Sequence, residues 1–287
     1  MVARSRLPGR LPLLAALALL GGCAKPAPLP PVAPAGTGTH LVGKFIWRDL
    51  FTADAEAAER FYGALFGWQF ETVTGTDARY RLARLDGRPV AGIVSSPKST
   101  RGIWVSHLSV PDVDAAVAAL TAGGGKVEFG PKDIPGRGRT AIVTDAKGAV
   151  VALTRTTQGD PGDDEPASRT IFWTELWAHA PTEHAGLYRA LVGWQAESRE
   201  IGTGATYTVL SAGGKPRAGL IKSPVEDVPA TWLPYVKVDD PAGTAKRAAE
   251  LGARVLVQPS AEVRGGNAAL LVDPTGAPLA IQRWPLQ

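Results

Sequence analysis

The sequence predicts an α+β protein of four βαβββ modules that pair into two domains. The strand-like segment at 45–51 (FIWRDLF) recurs at 171–177 (IFWTELW), and in both places a helix-like stretch that ends in Gly-Trp follows. A second kind of module also begins twice, at Trp104 and at Trp232, which are 128 residues apart. A unit that recurs at a nearly fixed spacing indicates duplication of one supersecondary structure.

Each element of the first module has its own signal. Residues 44–51 alternate between two faces, as a strand requires. Thr52 or Asp54 can cap the next helix, whose apolar stripe ends at Gly67. Three short strands with Gly and Asp turns between them are predicted at 68–70, 80–85 and 90–94.

The later modules repeat this order. In the second, a strand at 104–110 precedes a helix that opens at Asp112 and stops at the glycines 123–125, with strands predicted at 126–129, 138–143 and 149–153. The predicted organisation is a signal segment at 1–23, a proline-rich tether at 24–42, a first domain at 43–156, an acidic linker at 157–168 and a second domain at 169–287. The sequence leaves open whether the modules pair in chain order or exchange across the linker.

The first 23 residues have the pattern of an export signal. Arg4, Arg6 and Arg10 precede an apolar run at 11–20, and small residues lead into the only cysteine, Cys23. The segment resembles a bacterial lipoprotein signal, which implies that Cys23 is lipidated and anchors the protein in the cell envelope. In a two-membrane host, the anchor would be at the periplasmic face of the outer membrane. An ordinary signal peptide or a short anchor with an incidental cysteine is the alternative.

The composition and net charge of the chain limit the kinds of molecule that it is expected to bind. Apolar residues make up 45% and charged residues 20% of the chain, as in globular proteins. Three of the arginines behind the net charge of +4 lie in the signal segment, and no cluster of Lys and Arg remains elsewhere. This argues against nucleic acid as a partner, because phosphate neutralisation needs concentrated positive charge.

Several short motifs occur in the order and spacing of one known family. They are FY at 61–62 with LFGW at 65–68, VPDVD at 110–114, PGRG at 135–138, DAKG at 145–148 and DPTG at 273–276. Together with the duplication they resemble the glyoxalase/bleomycin-resistance/extradiol-dioxygenase superfamily, also called vicinal oxygen chelate proteins, over about residues 43–284. The resemblance implies that paired modules curl their sheets into cups that hold a ligand.

Strand alternation predicts which side chains face these cups. The helices pack on the apolar strand face that carries Trp232 and Val236, so Leu233 and Tyr235 point the other way. The same parity places further side chains in the cups: Val105 and His107, then Trp47, Asp49 and Phe51, then Trp173, Glu175 and Trp177. We expect Trp47, Phe51, Trp173, Trp177 and Tyr235 to contact a flat or apolar ligand, although core filling is an equally open role for the tryptophans.

The resemblance also implies where metal ligands would lie, near the start of the first strand of each module and on its last strand. Those positions hold Trp47, Val105, Trp173, Leu233, Ala152 and Ala280. None of these side chains ligates a divalent ion, which needs about four to six N or O donors. We therefore predict no cofactor, and a divalent metal is a disfavoured alternative.

Asp49 and His107 form the one predicted carboxylate–imidazole pair. Such a pair can move a proton near neutral pH, orient a ligand, or act only as a buried hydrogen-bonded contact. Glu175 with Tyr235 has the same alternatives. His179 and His184 are expected to be solvated or to cap a helix.

Three functions remain open at this point. The first is binding of a small planar or apolar molecule without a metal. The second is glyoxalase- or dioxygenase-type catalysis at an atypical site of Asp49, His107 and Glu175. The third is an envelope interaction module whose cups are filled by their own side chains.

Overall fold

The computed structural model describes residues 28–32, 37–74, 79–201, 204–223 and 229–284. The predicted signal segment and Cys23 lie outside these ranges. No helix in the described ranges has the length and apolar character needed to cross a membrane.

The first two modules have the predicted order of elements. Module 1 contains β1 (Phe45–Thr52), α1 (Ala55–Phe66), β2 (Gln69–Thr72), β3 (Tyr80–Leu85) and β4 (Arg88–Ser95). Module 2 contains β5 (Ile103–Ser109), α2 (Val113–Ala122), β6 (Lys126–Ile134), β7 (Gly138–Thr144) and β8 (Val150–Thr156). Their strands form one eight-stranded sheet in the order β2-β3-β4-β1-β5-β8-β7-β6.

Modules 3 and 4 form a second sheet of the same design. Module 3 contains β9 (Ile171–Ala178), α3 (Thr182–Val192), β10 (Gln195–Ile201), β11 (Ala205–Ala212) and β12 (Lys215–Lys222). Module 4 contains β13 (Thr231–Lys237), α4 (Pro241–Glu250), β14 (Arg254–Val257), the short 3-10 turn Arg264–Gly266, β15 (Ala268–Val272) and β16 (Pro278–Gln282). The order is β10-β11-β12-β9-β13-β16-β15-β14, so the modules pair in chain order.

Local sequence explains where the helices begin and end. The Asp54 side chain accepts a hydrogen bond from the Ala57 N–H (2.8 Å) at the start of α1. Asp112 does the same for Ala115 (2.9 Å) at the start of α2. Gly67 ends α1 with φ 74°, a left-handed conformation that glycine adopts at little cost.

The helices lie between the two sheets, and both large hydrophobic cores combine the domains. One core joins α2 to α3 through residues such as Leu120 and Tyr188. The other joins α1 to α4 through residues such as Tyr62 and Ala248. Because the apolar strand faces and the helices fill the interior, the concave sheet faces point away from the domain interface.

Buried polar contacts cross this interface in a nearly symmetric way. Tyr62 of α1 donates to Asp273 (2.7 Å), and Tyr188 of α3 donates to Asp145 (3.1 Å). His184 of α3 also lies 2.7 Å from Asp145 and is 4% exposed. The expectation that His184 is solvated or capping was wrong, because its partner comes from a turn in the other domain.

Part of the predicted tether packs on the first domain. Leu29 and Val32 contact a cluster that includes Trp47 and Tyr80, and Val32 is buried. The Leu29 N–H donates to the Pro135 carbonyl (2.8 Å). The proline-rich composition did not predict this contact.

Candidate functional site

The predicted strand faces are confirmed. Trp104 and Trp232 lie in the interdomain cores. Trp173, Trp177, Leu233 and Tyr235 lie together in a separate cluster on the concave face of the second sheet. Strand alternation was sufficient here because β1, β5, β9 and β13 form the centre of each sheet.

In the first cup, the buried carboxylate of Asp49 lies at the centre of a polar cluster. Its Oδ1 accepts hydrogen bonds from Trp47 Nε1 (2.8 Å) and from the Tyr80 hydroxyl (2.8 Å). Its Oδ2 lies 3.0 Å from His107 Nε2, and His107 Nδ1 lies 3.0 Å from the Thr154 hydroxyl. The predicted pair of Asp49 and His107 therefore meets.

Burial would raise the pKa of Asp49, but other groups outweigh this effect. The hydrogen bond to His107 and the charges of His107 and Arg137 hold the pKa of Asp49 below its ordinary value. The carboxylate is therefore ionised at neutral pH.

Arg137 covers the first cup. Its guanidinium carbon lies 4.2 Å from the centre of the Trp47 ring, and its Nη2 donates to the Tyr80 hydroxyl (2.7 Å). Trp47 is only 4% exposed, so its ring is covered by protein. Phe51 is half-buried beside Val105 and Ala152. The first cup is thus largely filled by side chains of the chain itself.

In the second cup, Glu175 is fully buried at the position that corresponds to Asp49. The following groups donate to it: Tyr207 (2.7 Å) and Trp173 Nε1 (3.1 Å) to Oε1, Trp177 Nε1 (3.3 Å) and Tyr235 to Oε2, and Arg264 Nη2 to both oxygens (2.6 and 2.8 Å). Since a carboxylate has about four lone-pair sites, Glu175 has no free acceptor left for a further ligand.

Arg264 lies in the 3-10 turn before β15 and packs against this cluster. Its guanidinium carbon lies 5.5 Å from the ring centre of Tyr207 and 5.2 Å from that of Tyr235, and Nη1 donates to Gln282. Burial would lower the pKa of Arg264, but the charge of Glu175 outweighs it and raises that pKa. Burial, and then the charge of Glu175, raises the pKa of both tyrosines. Glu175 and Arg264 therefore form a charged pair with neutral phenols around it.

The two clusters are copies of one arrangement. Their corresponding members are Asp49 and Glu175, Trp47 and Trp173, Tyr80 and Tyr207, His107 and Tyr235, Thr154 and Gln282, and one arginine each, Arg137 and Arg264. Sequence analysis did not identify Tyr80, Tyr207, Arg137 or Arg264 as members of these clusters. Tyr80 and Tyr207 lie at matching positions, 127 residues apart, on the second strand after each module's helix, β3 and β11.

Two strand glycines make room for these clusters. A Cβ on Gly92 would lie 2.1 Å from Asp49 Oδ1, and one on Gly219 would lie 2.2 Å from the Tyr207 hydroxyl. The glycines stand beside the carboxylates, since Asp49 pairs with Gly92 and Glu175 with Gly219 in the parallel ladders. Any larger residue would push the phenol or the carboxylate aside.

The second cup differs from the first in being open. Trp173 and Trp177 are partly exposed and, with Tyr207, Tyr235 and Arg264, line one part of a cavity of about 2140 Å³ that continues along the linker to the first domain. The exposed Trp284 also lines this cavity and packs on Phe172 with 5.5 Å between ring centres. Aromatic surface is therefore accessible here.

The side chains present do not fit a divalent metal. The positions where the family resemblance implies ligands are occupied by Trp47, Trp173, Val105, Leu233, Ala152 and Ala280. In the sheets, Ala152 pairs with His107 and Ala280 pairs with Tyr235. Within the described ranges, no group of three or more His, Cys, Asp or Glu side chains is placed to hold an ion. Asp49 and His107 supply two donors, fewer than such a site requires.

The fold and the duplicated cups define a class of protein, and comparison with known families agrees. The model for the Glyoxalase/Bleomycin resistance protein/Dioxygenase superfamily matches residues 39–153, and that for a Glyoxalase-like domain matches residues 170–281. The chain belongs to this superfamily and carries one such domain in each half.

Similar proteins include both full-length relatives and solved structures. The chain is 36% identical over 237 residues to "Putative glyoxylase CFP32" of Mycobacterium tuberculosis, which covers 80% of this chain and 91% of that protein. It is 29% identical over 252 residues to "Anthracycline biosynthesis protein DnrV" of Streptomyces peucetius, with 82% and 91% covered.

Among solved structures, the Mn(II)-bound glyoxalase from Novosphingobium aromaticivorans matches with TM-score 0.59 and 19% identity, over 86% of this chain and 84% of that one. A 2,2',3-trihydroxybiphenyl 1,2-dioxygenase from Sphingomonas wittichii matches with TM-score 0.54 and 15% identity, over 85% and 91%. At these identities the likeness is one of fold.

Proposed function

We propose that the chain binds a small planar, largely apolar molecule in the second cup without a divalent metal. The supporting observation is that Trp173 and Trp177 are held in place by hydrogen bonds while their rings remain partly exposed. Their N–H groups donate to Glu175, and their partly exposed rings line an open cavity. Such rings present apolar faces, and each well-placed ring pair contributes about 0.5–1.5 kcal/mol beyond burial.

Two further points support this choice of ligand and of site. Anthracyclines contain fused planar rings, so the name of the relative DnrV agrees with a flat ligand. The oxygens of Glu175 are already occupied by Arg264, the tyrosines and the tryptophans, which leaves the carboxylate unsuited to hold an ion. Binding through ring faces does not require one.

Fluorescence titration of the full chain with 1-aminoanthracene, a neutral planar probe, tests the proposal. We expect saturable binding, weakened about tenfold in Trp177→Leu because one stacking partner and its apolar area are lost. Phe51→Leu is the matched control in the covered first cup and should bind the probe as the wild type does.

The following results would contradict the proposal. One is the absence of saturable binding of the probe, and another is an equal loss of probe affinity in Trp177→Leu and Phe51→Leu. A third is stoichiometric Ni, Zn, Fe or Mn in the purified protein whose removal by a chelator abolishes probe binding.

We also propose that Cys23 anchors this body in the cell envelope through a lipid. The sequence of residues 1–23 supports it. Cys23→Ala should move the protein from the membrane fraction to the soluble fraction after cell lysis. A wild-type protein that is found only in the soluble fraction would exclude the anchor.

The Asp49–His107 pair favours a second function, namely glyoxalase- or dioxygenase-type catalysis at an atypical site with Glu175. The 3.0 Å contact and the 12% exposure of the His107 side chain are the observations in its favour. Turnover of the methylglyoxal–glutathione adduct or of a catechol, lost in His107→Gln, would establish it. No turnover with or without added metal would reject it.

A further inference from the structure

Four cationic side chains gather where the linker passes between the domains. This linker cation cluster consists of Lys44, Arg48, Lys215 and Arg217, and all four line the large cavity. Asp163 pairs with three of them, at 3.0 Å from Lys44, 3.1 Å from Lys215 and 2.5 Å from Arg217. Among the described residues, no second carboxylate forms an ion pair with the cluster. Its positive charge is therefore only partly compensated.

Arg48 is the least compensated member. It is 8% exposed, and its contacts are neutral: Nη1 donates to the Phe45 carbonyl (3.1 Å) and Nη2 to the Thr174 hydroxyl (2.7 Å). Its Nε has no hydrogen-bond partner. A buried guanidinium normally lies beside an anion, because the loss of hydration is otherwise not offset.

Two more buried polar atoms near Arg48 and Asp163 also lack partners. Ser106, which is opposite Arg48 in the β1–β5 ladder, is fully buried with an unpaired hydroxyl. Arg217 has a side chain that is 8% exposed and an unpaired Nε. Unsatisfied buried donors are rare in folded proteins, so the unpaired Nε atoms of Arg48 and Arg217, which both line the cavity, indicate a missing acceptor.

The pKa values of Lys44 and Asp163 reflect the same excess of positive charge. Burial lowers the pKa of Lys44, and although Asp163 opposes this, Arg217 and Arg48 add to it. Burial would raise the pKa of Asp163, but its hydrogen bonds to Arg217, Lys44 and Lys215 hold that pKa well below the ordinary value. An additional anion would stabilise the charged state of these cations.

We propose that the linker cation cluster binds a compact oxyanion, with the charge and size of inorganic phosphate or a small carboxylate, between the two domains. Planar guanidinium groups match the oxygen geometry of such anions, and Arg48 and Arg217 both have unused donors. The Ser106 hydroxyl is a further donor available on the neighbouring strand. This site lines the same cavity as the aromatic surface of the second cup but shares no residue with it, and it does not depend on the planar ligand.

Calorimetric titration of the full chain with inorganic phosphate tests the proposal, alongside thermal unfolding in phosphate and in chloride at equal pH and ionic strength. We expect saturable phosphate binding and an unfolding midpoint that rises with phosphate but not with chloride. Arg48→Met keeps the length of the side chain without its charge and should weaken phosphate binding at least tenfold. Arg84→Met is the matched control, since Arg84 pairs with Glu71 on the outer strands and should not change the affinity.

If Arg48→Met does not fold, Lys215→Met provides a second test of the proposal. The Lys215 side chain is 57% exposed, so its removal leaves the fold intact and should weaken phosphate binding several-fold. Trp177→Leu should leave phosphate binding unchanged, which separates this site from the planar-ligand site. A wild type that responds equally to phosphate and chloride, or Lys215→Met and Arg48→Met variants with undiminished affinity, would overturn the proposal.

Discussion

The side chain of Glu175 is fully buried and receives hydrogen bonds from five other side chains. Asp49, the corresponding carboxylate of the first cup, is bonded to His107, whereas Glu175 has Arg264 as its cationic partner. The two cups therefore differ in the basic side chain that contacts the carboxylate directly. A histidine can exchange a proton near neutral pH, whereas an arginine cannot. The first cup therefore has a side chain that can transfer a proton, whereas the second has a pair whose charges stay fixed.

Replacement of Glu175 by Gln should destabilise the protein strongly. The amide has nearly the same shape but no charge, so Arg264, whose side chain is 18% exposed, is left without its anion and the amide N–H₂ faces other donors. Breaking a buried ion pair in this way costs about 3–5 kcal/mol, to be measured as the free energy of unfolding in urea. Glu71→Gln is the control, because its pair with Arg84 is partly exposed and worth less than about 1 kcal/mol. Equal losses in the two variants would refute the idea that the second cup depends on this charge.

At the scale of elements, the clusters depend on the strand next to each carboxylate. Gly219 of β12 and Gly92 of β4 are each opposite a carboxylate, and neither has a left-handed backbone that would by itself require glycine. The requirement is steric, since a side chain there would overlap Tyr207 or Asp49. Strand glycines weaken a sheet, so their presence at both repeat positions has this packing reason.

The variant Gly219→Ala tests this packing. Its Cβ would lie 2.2 Å from the Tyr207 hydroxyl, and the resulting shift should cost about 1–3 kcal/mol in the free energy of unfolding. Gly186→Ala is the matched control, because Gly186 lies within α3 with no atom within 4 Å of the added Cβ, and it should stabilise by about 0.5–1 kcal/mol. If Gly219→Ala were as stable as the wild type, the steric role of this glycine would be wrong.

The sequence predicted these elements well because their signals are local. Alternation assigned Trp173 to the cup and Trp232 to the core, and the repeat located the helices and the strands. Arg137 and Arg264 escaped prediction because a strand pattern does not show which turn folds over a cup. His184 was placed wrongly for a related reason: its partner, Asp145, is distant in the chain and belongs to the other domain.

At the scale of the whole molecule, the two domains share their interior. The contact of Tyr62 with Asp273 and that of Tyr188 with Asp145 are related by the internal repeat, and each joins a helix of one domain to a turn of the other. Only the second contact contains a histidine, since the residue of α1 that corresponds to His184 is Ala58. Each domain would expose an apolar helix face if it were separated, so we expect the two to unfold together.

The pH dependence of stability offers a test of this interface. Burial would raise the pKa of Asp145, but the hydrogen bond and charge of His184 and backbone N–H groups outweigh it, and the folded-state pKa lies below the ordinary value. A carboxyl group with a depressed folded pKa contributes stability that is fully present above its unfolded pKa of about 4 and is lost as the pH falls through the folded pKa.

His184→Ala should therefore cost about 1–3 kcal/mol at neutral pH, because the buried Asp145 carboxylate loses one of its partners, and the difference from the wild type should shrink as the pH falls below about 4. Urea unfolding between pH 3 and pH 7 measures both effects. His179→Ala is the control, since His179 is exposed and its removal should change stability by less than about 0.5 kcal/mol at every pH. A His184→Ala deficit that stays constant or grows on acidification would show that Asp145 does not couple the domains through its charge.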